Sequence, residues 1–445
     1  MDFEIFEKFL KENQLHQLKL ALEDSNPVDA AEFLSELEGE DLPKVFRLLK
    51  KDFAADVFAE LDSDITNELI SSMSDKEIAK IIDELSVDDA VDTLEELPAT
   101  VVNRILKNTP AEARAEINRF LNYPDESAGS IMTSEFASVR SNMTVQEAIE
   151  HIRRTGVDKE TVYVIYVTDK TRILEGTLGL RDLLFADPEA TVASIMSTST
   201  IFATTTDTKE HAANLISRYG FLALPIVDSE RRLVGIVTVD DALDLIRETA
   251  TNDIEKMAAI TPTDKSYLKT GVFEIWSKRI PWLLLLMISA TFTGMIINRF
   301  EDALSKMVAL TAFIPMLMNS GGNAGSQASV TVIRGLSLGE LKPENVAWIL
   351  WKEFRVAILS GICLGGVIFL KVLLIDRLGA MVALIIALTL FCCVIMAKLV
   401  GAVLPLLAKI IGFDPAVMAS PFITTIVDAV TLIIYFTLAT AILKL

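Results

Sequence analysis

The chain has 445 residues, of which 51% are hydrophobic, and a formal net charge of −20. From Gly271 onward, nine acidic and thirteen basic residues give a net charge of +4, so residues 1–270 carry a net charge of −24. We expect this acidic region to repel nucleic acid and attract cations; a role in solubility alone is the simpler interpretation. The three cysteines lie in apolar stretches, which argues against a disulfide framework, and the lack of HExxH, P-loop and nucleophile-elbow motifs argues against an enzyme.

Residues 1–130 are predicted to form an acidic, all-α superhelical domain. One short helix and one turn fit the spacing of a large apolar residue every twelve positions, and Asn26-Pro27 and Ser74-Asp75 supply helix-start signals. The repeating residues are Leu37, Leu49, Leu61, Met73, Leu85 and Leu97. Such a stack is typical of a scaffold or sensor. The first ten residues are acidic and lack an apolar core, so we expect no signal peptide.

From Ile131 the pattern changes to short β-rich runs that alternate with helices. Each half of this region is predicted to hold a helix and two strands: Val145–Arg153, Thr161–Val167 and Leu174–Leu180, then Glu210–Tyr219, Leu222–Val227 and Leu233–Val237. Ile131-Met132-Thr133 in the first half matches Ile195-Met196-Ser197 in the second. This α/β repeat resembles a tandem pair of CBS domains, residues 131–193 and 194–246.

The CBS resemblance implies a candidate adenine-nucleotide site, with ATP as the candidate ligand. In such pairs a Thr-x-x-Asp tetrad after the last strand commonly contacts ribose. The second copy keeps it as Thr238 and Asp241, whereas the first copy has Gly179 and Asp182. A nucleotide is therefore expected in the second half more than in the first.

Residues 247–278 are predicted to form a connecting, plug-type helix before the first apolar stretch. This segment carries Asp253, Glu255 and Asp264. Its position next to the membrane part makes it a candidate gate lever, and a simple linker is the alternative.

Residues 279–445 are predicted to form a membrane domain of five helical spans. The apolar stretches are long enough to cross a bilayer: Pro281–Ile297, Met307–Ile333, Val356–Leu374, Met381–Leu407 and Ala416–Leu443. An odd number of spans places the two termini on opposite sides. Basic residues precede the first span and follow the second, so the amino-terminal region is predicted to be cytoplasmic, in a multi-pass protein of the inner or plasma membrane.

The last span contains Asp428, a carboxylate at bilayer depth. Such a group costs roughly 2.5 to 3.5 kcal/mol on insertion scales, so it usually faces a polar path or a partner. On this helix Ser420, Thr424, Asp428, Thr431 and Tyr435 fall on one stripe. The stripe predicts a pore or transport wall, with a neutral, hydrogen-bonded carboxylic acid as the alternative.

The second span holds glycines and amides within an apolar helix. Residues 315–329 read Pro-Met-Leu-Met-Asn-Ser-Gly-Gly-Asn-Ala-Gly-Ser-Gln-Ala-Ser. Small-residue packing alone does not require Asn319, Asn323 and Gln327. Together with residues 123–133 and the Ser420-to-Asp428 segment, this pattern resembles the MgtE family of magnesium channels over nearly the whole chain.

The resemblance implies a homodimer with one pore on its two-fold axis. The family's pore carboxylate corresponds to Asp428, with Thr424 as a second candidate metal contact. The expected pore lining comprises Ser420, Gly322, Asn323, Gly325 and Gln327. Relatives often have Asn where this chain has Ser420, so a direct ion contact there is less expected.

The predicted function is import of Mg²⁺ down its electrochemical gradient through a channel that cytosolic Mg²⁺ closes. Mg²⁺ prefers octahedral oxygen ligands and sheds water reluctantly, so few protein ligands suffice. The candidate regulatory carboxylates are Asp88, Asp89, Asp92, Asp228, Asp241, Asp253, Glu255 and Asp264. The alternatives are an ion-coupled secondary transporter of divalent cations such as Mg²⁺ and Co²⁺, and a membrane-anchored CBS sensor that acts on another protein.

Overall fold

The computed structural model describes residues 3–37, 39–95, 97–157, 159–263, 267, 270–301, 307–418 and 420–443, without the side chains of Ser63 and Ser420. The chain divides into two compact units, residues 1–247 and 248–445.

In the part of the first unit that the structure describes, the chain begins with ten short helices. They are α1 Glu4–Lys11, α2 Leu15–Glu23, α3 Pro27–Ser35, α4 Asp41–Phe46, α5 Lys51–Ala59, α6 Ser63–Ser72, α7 Asp75–Ile82, α8 Val87–Glu95, α9 Ala99–Asn108 and α10 Ala111–Phe120. Local capping starts several of them: Asn26 Oδ1 accepts a hydrogen bond from Val28 N, and Ser74 forms a capping box with Glu77. Leu49, Leu61, Leu85 and Leu97 of the twelve-residue repeat are buried, as the prediction requires.

The CBS region contains two three-stranded sheets. The first sheet has the order β1–β2–β3 and the second β4–β5–β6, and in each sheet the first pair of strands is parallel and the second pair antiparallel. The elements are β1 Phe136–Arg140, α11 Val145–Thr155, β2 Thr161–Thr168, β3 Leu174–Gly179, α12 Leu180–Phe185, α13 Val192–Ile195, β4 Ala203–Thr204, α14 Lys209–Tyr219, β5 Ala223–Val227 and β6 Leu233–Thr238. The four predicted strands are confirmed within one residue. The edge strands β1 and β4 were missed because they are short and are held by pairing to a buried neighbour.

The connecting segment differs from its prediction. Helix α15 begins at Val239, inside the second CBS copy, and ends at Met257; residues 258–263 are not helical, and Ala259 has a φ of 56°. A residue in the left-handed region stops a helix. A single helix over 247–278 is therefore wrong, and the next helix begins at Val272.

The second unit is helical and apolar. Its long helices are α16 Val272–Arg299, α17 Ile314–Ser337, α18 Val346–Leu374, α19 Ala380–Ile410 and α20 Ser420–Leu443. Among the described residues, four segments are long and apolar enough to cross a membrane: Val272–Arg299, Pro343–Leu374, Ala380–Ile410 and Pro415–Leu443. The remaining predicted span, Met307–Ile333, is a 3₁₀ turn at Val308–Phe313 followed by α17, and the amides and glycines of α17 lower its hydropathy. A count of five spans stays a prediction.

Candidate functional site

The glycines of α17 bring three membrane helices into close contact. A Cβ added at Gly321 would lie 2.5 Å from Cys393 Sγ and 2.9 Å from Val427 Cγ1, and one added at Gly325 would lie 2.7 Å from Ile423 Cγ2. Cys393 belongs to α19, and Ile423 and Val427 belong to α20. Only residues without a side chain allow this approach.

Thr424 is part of the same packing. A Cβ at Gly322 would lie 3.0 Å from Thr424 Cγ2, and the Thr424 hydroxyl donates to the carbonyl of Pro421 at 2.9 Å. The side chain of Thr424 therefore packs against α17 and bonds within its own helix. This leaves its main chain as the candidate metal contact.

Asp428 lies one turn further along α20 and is half-buried. Within the described part of the chain, its carboxylate has no hydrogen-bond or ion-pair partner. The alternative of a hydrogen-bonded carboxylic acid therefore finds no support in these contacts. Ionisable residues in membrane helices usually face the bundle interior or a water-filled cavity, so Asp428 stays a candidate for the ion path.

The rest of the predicted polar stripe on α20 has a structural role. The hydroxyl of Thr431 lies 2.7 Å from Cys393 Sγ, and the Tyr435 hydroxyl donates to the carbonyl of Leu310 at 2.9 Å. Both side chains are buried between helices. The prediction of a continuous wet stripe from Ser420 to Tyr435 is therefore wrong at Thr431 and Tyr435, because interhelical contacts satisfy their hydroxyls.

The amides of α17 form a second polar surface. Asn319, Asn323 and Gln327 are all exposed, on the face opposite the buried glycines, and Asn323 Nδ2 lies 3.5 Å from Asn319 Oδ1. The predicted lining residues thus divide into a packing face, Gly322 and Gly325, and an exposed amide face.

A second group of acidic residues lies in the first unit. The Asp92 side chain keeps an exposed surface, but partial burial by the surrounding protein, and then the carboxylates of Asp88 and Asp89, raise its pKa to about 7. Burial and nearby carboxylates also raise the pKa of Glu160 to about 7 and that of Asp241 to about 6. We call Asp88, Asp89, Asp92, Glu160, Asp240 and Asp241 the acidic cluster.

Asp88 is the most enclosed member of the acidic cluster. It is 9% exposed, its Oδ1 atom lacks a hydrogen-bond partner, and burial and Asp89 raise its pKa. Asp89 instead accepts a hydrogen bond from Ser86 at the start of α8. Even so, no three His, Cys, Asp or Glu side chains in the described ranges stand close enough to hold a metal ion.

Other predicted regulatory residues lie apart from the cluster. Asp228 Oδ1 accepts hydrogen bonds from the backbone N–H groups of Glu230 and Arg232, both at 2.9 Å, so it shapes the β5–β6 turn. Asp253 and Glu255 belong to the part of α15 that lies in the second unit. Asp264 lies outside the described residues.

Known proteins resemble this chain over nearly its whole length. Models for the MgtE intracellular N domain, the CBS domain and the MgtE divalent cation transporter match residues 25–126, 128–189 with 192–248, and 314–438. The magnesium transporter MgtE of Thermus thermophilus is 37% identical over 98% of this chain and 97% of its own length. That of Bacillus subtilis is 32% identical over 97% of this chain and 95% of its own.

This chain belongs to the MgtE family. Two solved structures resemble its amino-terminal part. The cytosolic domain of the Mg²⁺ channel MgtE in complex with ATP has 38% identity and a TM-score of 0.52, and covers 54% of this chain and 98% of its own. The soluble part of a magnesium transporter has 32% identity and a TM-score of 0.53, and the match covers 56% of this chain and 98% of that structure's chain. The chain is a multi-pass membrane protein of a transporter family rather than an enzyme.

Two members of the acidic cluster in this MgtE-family chain were not predicted from the sequence, Glu160 and Asp240. Glu160 lies in the loop directly before β2. Its neighbours in space come from distant parts of the chain, so the local sequence does not show them. Asp240 is adjacent to the predicted Asp241, and a run of two acids after a β-strand was the available signal.

The predicted nucleotide residues of the MgtE-family chain contact each other. Thr238 Oγ1 donates a hydrogen bond to Asp241 Oδ2. The two side chains that would contact the ribose are therefore bonded to each other. Asp241 also belongs to the acidic cluster, whose charge would repel nucleotide phosphates in the absence of a cation.

Proposed function

We propose that this protein is a homodimeric Mg²⁺ channel that imports the ion down its electrochemical gradient and closes when cytosolic Mg²⁺ occupies the acidic cluster. The observation that carries the conduction proposal is the half-buried carboxylate of Asp428 on an apolar helix, for which the described residues provide no partner. In this proposal the amino terminus is cytoplasmic and the carboxyl terminus lies across the membrane.

The chemistry of Mg²⁺ suits a site with one carboxylate per chain. Mg²⁺ retains several waters when it binds, so two symmetry-related Asp428 side chains can hold a largely hydrated ion on a two-fold axis. Their two charges favour a divalent over a monovalent ion. A membrane potential supplies about 2.3 kcal/mol per charge per 100 mV, so a divalent ion gains about 4.6 kcal/mol without any coupled reaction.

The exposed amides of α17 support the two-fold arrangement. Lipid is an unfavourable environment for Asn319, Asn323 and Gln327, whereas a water-filled path or a second subunit satisfies them. A path shared between two chains would also bring in the further ligands that a single chain lacks in its described residues.

The acidic cluster supports closure by Mg²⁺. Its carboxylates come from α8, from the loop before β2 and from the start of α15, and they repel one another when ionised. Mg²⁺ would bridge them through carboxylates and water and draw these elements together. A shift from mostly open to mostly closed needs about 5.5 kcal/mol of differential binding, which several weak sites can share.

The end of α15 supports its role as a gate lever. Lys256 Nζ lies 2.8 Å from Asp414 Oδ2, and Ser337 donates to Asp253 Oδ2 at 3.1 Å. Met257 packs against Ile333 of α17. Asp253 is thus held by the end of α17, and Glu255 accepts the N–H of Thr263 at 3.3 Å. These contacts suit a mechanical connection better than a metal site.

Asp414 joins this connection to the helix that carries Asp428. Its Oδ1 atom accepts the N–H of Ala416 at 2.8 Å, which starts the 3₁₀ turn Pro415–Met418 directly before α20. One carboxylate therefore contacts the lever with one oxygen and orders the approach to α20 with the other.

ATP is a candidate ligand of the CBS pair, on the strength of the related cytosolic domain that binds it. Because the Thr238–Asp241 pair lies in the acidic cluster, we expect ATP to bind there only together with a divalent cation.

The decisive experiment is Mg²⁺ uptake into liposomes under an imposed potential. Asp428→Asn should abolish uptake. Asp376→Asn should retain it, because the Asp376 carboxylate does not belong to α20 and forms an ion pair with Lys371, with 2.6 Å between Nζ and Oδ2. Single-channel currents that persist without a sodium or proton gradient would separate a channel from a coupled transporter. Normal uptake by Asp428→Asn would remove Asp428 from the ion path.

A further inference from the structure

One face of α18 changes character along its length. Its first three turns expose Trp348 and Trp351, which are 56% and 57% accessible, together with Lys352 and Arg355. The same face continues with Leu359, which is 71% accessible, and with other aliphatic side chains. Positions three and four apart share a helix face, so these residues form one stripe, basic and aromatic at its start and aliphatic beyond.

Within the described residues, the two cations of this stripe lack acidic partners. Lys352 Nζ lies 5.0 Å from the centre of the Trp348 ring, and Arg355 Cζ lies 5.7 Å from that of Trp351. Over the ranges that the structure covers, neither forms an ion pair. At the other end of α18, Lys371 pairs with Asp376 at 2.6 Å. The helix thus neutralises its cation at one end and leaves two cations uncompensated at the other.

We propose that the stripe from Trp348 to Leu359 binds one anionic phospholipid. The lipid phosphate is held between Lys352 and Arg355, the two indole rings lie at headgroup level, and an acyl chain follows the aliphatic part of the face. Basic residues attract anionic headgroups, and tryptophan is favoured at the membrane–water interface. The order of side chains along the stripe matches the order of chemical groups along a lipid.

A second copy of the chain is a less suitable occupant. A two-fold contact through this stripe would bring Lys352 and Arg355 of one chain close to the same residues of the other, and like charges repel. Free phosphate would satisfy the cations but would leave the aliphatic part of the stripe without a role. The lipid accounts for both parts.

The test is native mass spectrometry of the full-length protein with mixtures of phosphatidylglycerol and phosphatidylcholine. The parent should retain phosphatidylglycerol selectively. Lys352→Gln and Arg355→Gln should each lower the affinity for phosphatidylglycerol about fivefold. Lys371→Gln is the matched control, because it removes a cation that already has a partner, and should bind as the parent does. The charge-preserving double variant Lys352→Arg, Arg355→Lys should also bind and shows that the helix remains intact.

Three results would overturn the proposal. Equal retention of the two lipids would mean that the stripe is a general membrane anchor. Displacement of phosphatidylglycerol by millimolar inorganic phosphate would assign the cations to a free anion. Disulfide cross-linking of Arg355→Cys to its counterpart in bilayers would assign the stripe to a second copy. None of these outcomes depends on whether the protein conducts Mg²⁺.

Discussion

The two acidic regions of this molecule are built in opposite ways. Asp428 stands alone on an apolar helix, and close contacts of glycines with neighbouring side chains fix its position. The acidic cluster crowds several carboxylates, and burial together with their mutual repulsion raises the pKa values of Asp92 and Glu160. A conducting site needs few charges so that the ion can leave. A sensing site benefits from many charges, because the carboxylates repel one another until a bound cation neutralises them.

The largest expected effect separates the two regions by function. Asp428→Asn should lower Mg²⁺ conduction at least about a hundredfold, because it removes the charge that attracts the ion. The same variant should keep any rise in melting temperature that Mg²⁺ gives the parent, since we propose that this rise comes from the acidic cluster. Both quantities are measured on one purified sample by flux and thermal unfolding. Loss of the Mg²⁺-dependent rise would mean that the two regions are not separate.

The converse variant neutralises the acidic cluster, the proposed sensor. Asp88→Asn, Asp92→Asn and Asp241→Asn together should remove most of the Mg²⁺-dependent stabilisation and leave the channel open at internal Mg²⁺ concentrations that close the parent. Ion selectivity should not change. Asp228→Asn is the comparison variant, because that side chain shapes a turn. Closure of the triple variant at the parental Mg²⁺ concentration, in patch recordings, would exclude the cluster as the sensor.

Steric change should affect only the membrane region. Gly321→Val places new atoms against Cys393 and Val427 and should cost about 1 to 3 kcal/mol, with lower flux. Gly366→Val is the control, because nothing lies within 4 Å of a Cβ at that glycine. Thermal unfolding and flux are measured for both. Equal behaviour of the two variants would show that the contacts of α17 do not position Asp428.

The acidic cluster should make stability depend on pH. The folded protein binds protons at Asp92 and Glu160 up to about pH 7, whereas the unfolded chain releases them near pH 4. Without Mg²⁺, the contribution of these groups is therefore fully present below about pH 4 and is lost as the pH rises through about 7. Added Mg²⁺ should stabilise the protein more at pH 7.5 than at pH 5.5. Calorimetry at both pH values measures this, and equal stabilisation would contradict it.

The smallest expected effect concerns the connection between the lever and α20. Lys256→Asp or Asp414→Lys alone should shift the Mg²⁺ concentration of closure about threefold to tenfold, since a partly exposed ion pair contributes about 1 kcal/mol. The exchange Lys256→Asp with Asp414→Lys should restore part of the parental response. Patch recordings at graded internal Mg²⁺ measure the shift. A double variant as impaired as the worse single variant would argue against a direct pair.

Local patterns allowed much of the fold to be predicted. The twelve-residue spacing gave the short helices, and alternation gave strands β2, β3, β5 and β6. The missed strands β1 and β4 are fixed by tertiary pairing, which leaves a weak local signal. The connecting helix was misplaced because its composition favours a helix beyond Met257, whereas Ala259 adopts a backbone conformation that ends it.

The candidate sites were predicted less evenly. Asp428 was evident because a charge in an apolar run is conspicuous. Thr431 and Tyr435 carry the same helical spacing but form contacts with Cys393 and Leu310, which distant parts of the chain supply. Glu160 joins the acidic cluster for the same reason, since only the folded arrangement brings it to residues 88–92.

The uncharged face of α17 has a consequence for speed. Mg²⁺ exchanges its waters reluctantly, so an ion that had to trade them for several carboxylates would dwell for a long time. If they line the ion path, Asn319, Asn323 and Gln327 would offer dipoles that hydrogen-bond to the ion's water shell without displacing it. In the proposed channel the ion would therefore meet full charge only at Asp428, and its residence time would be set by that single encounter.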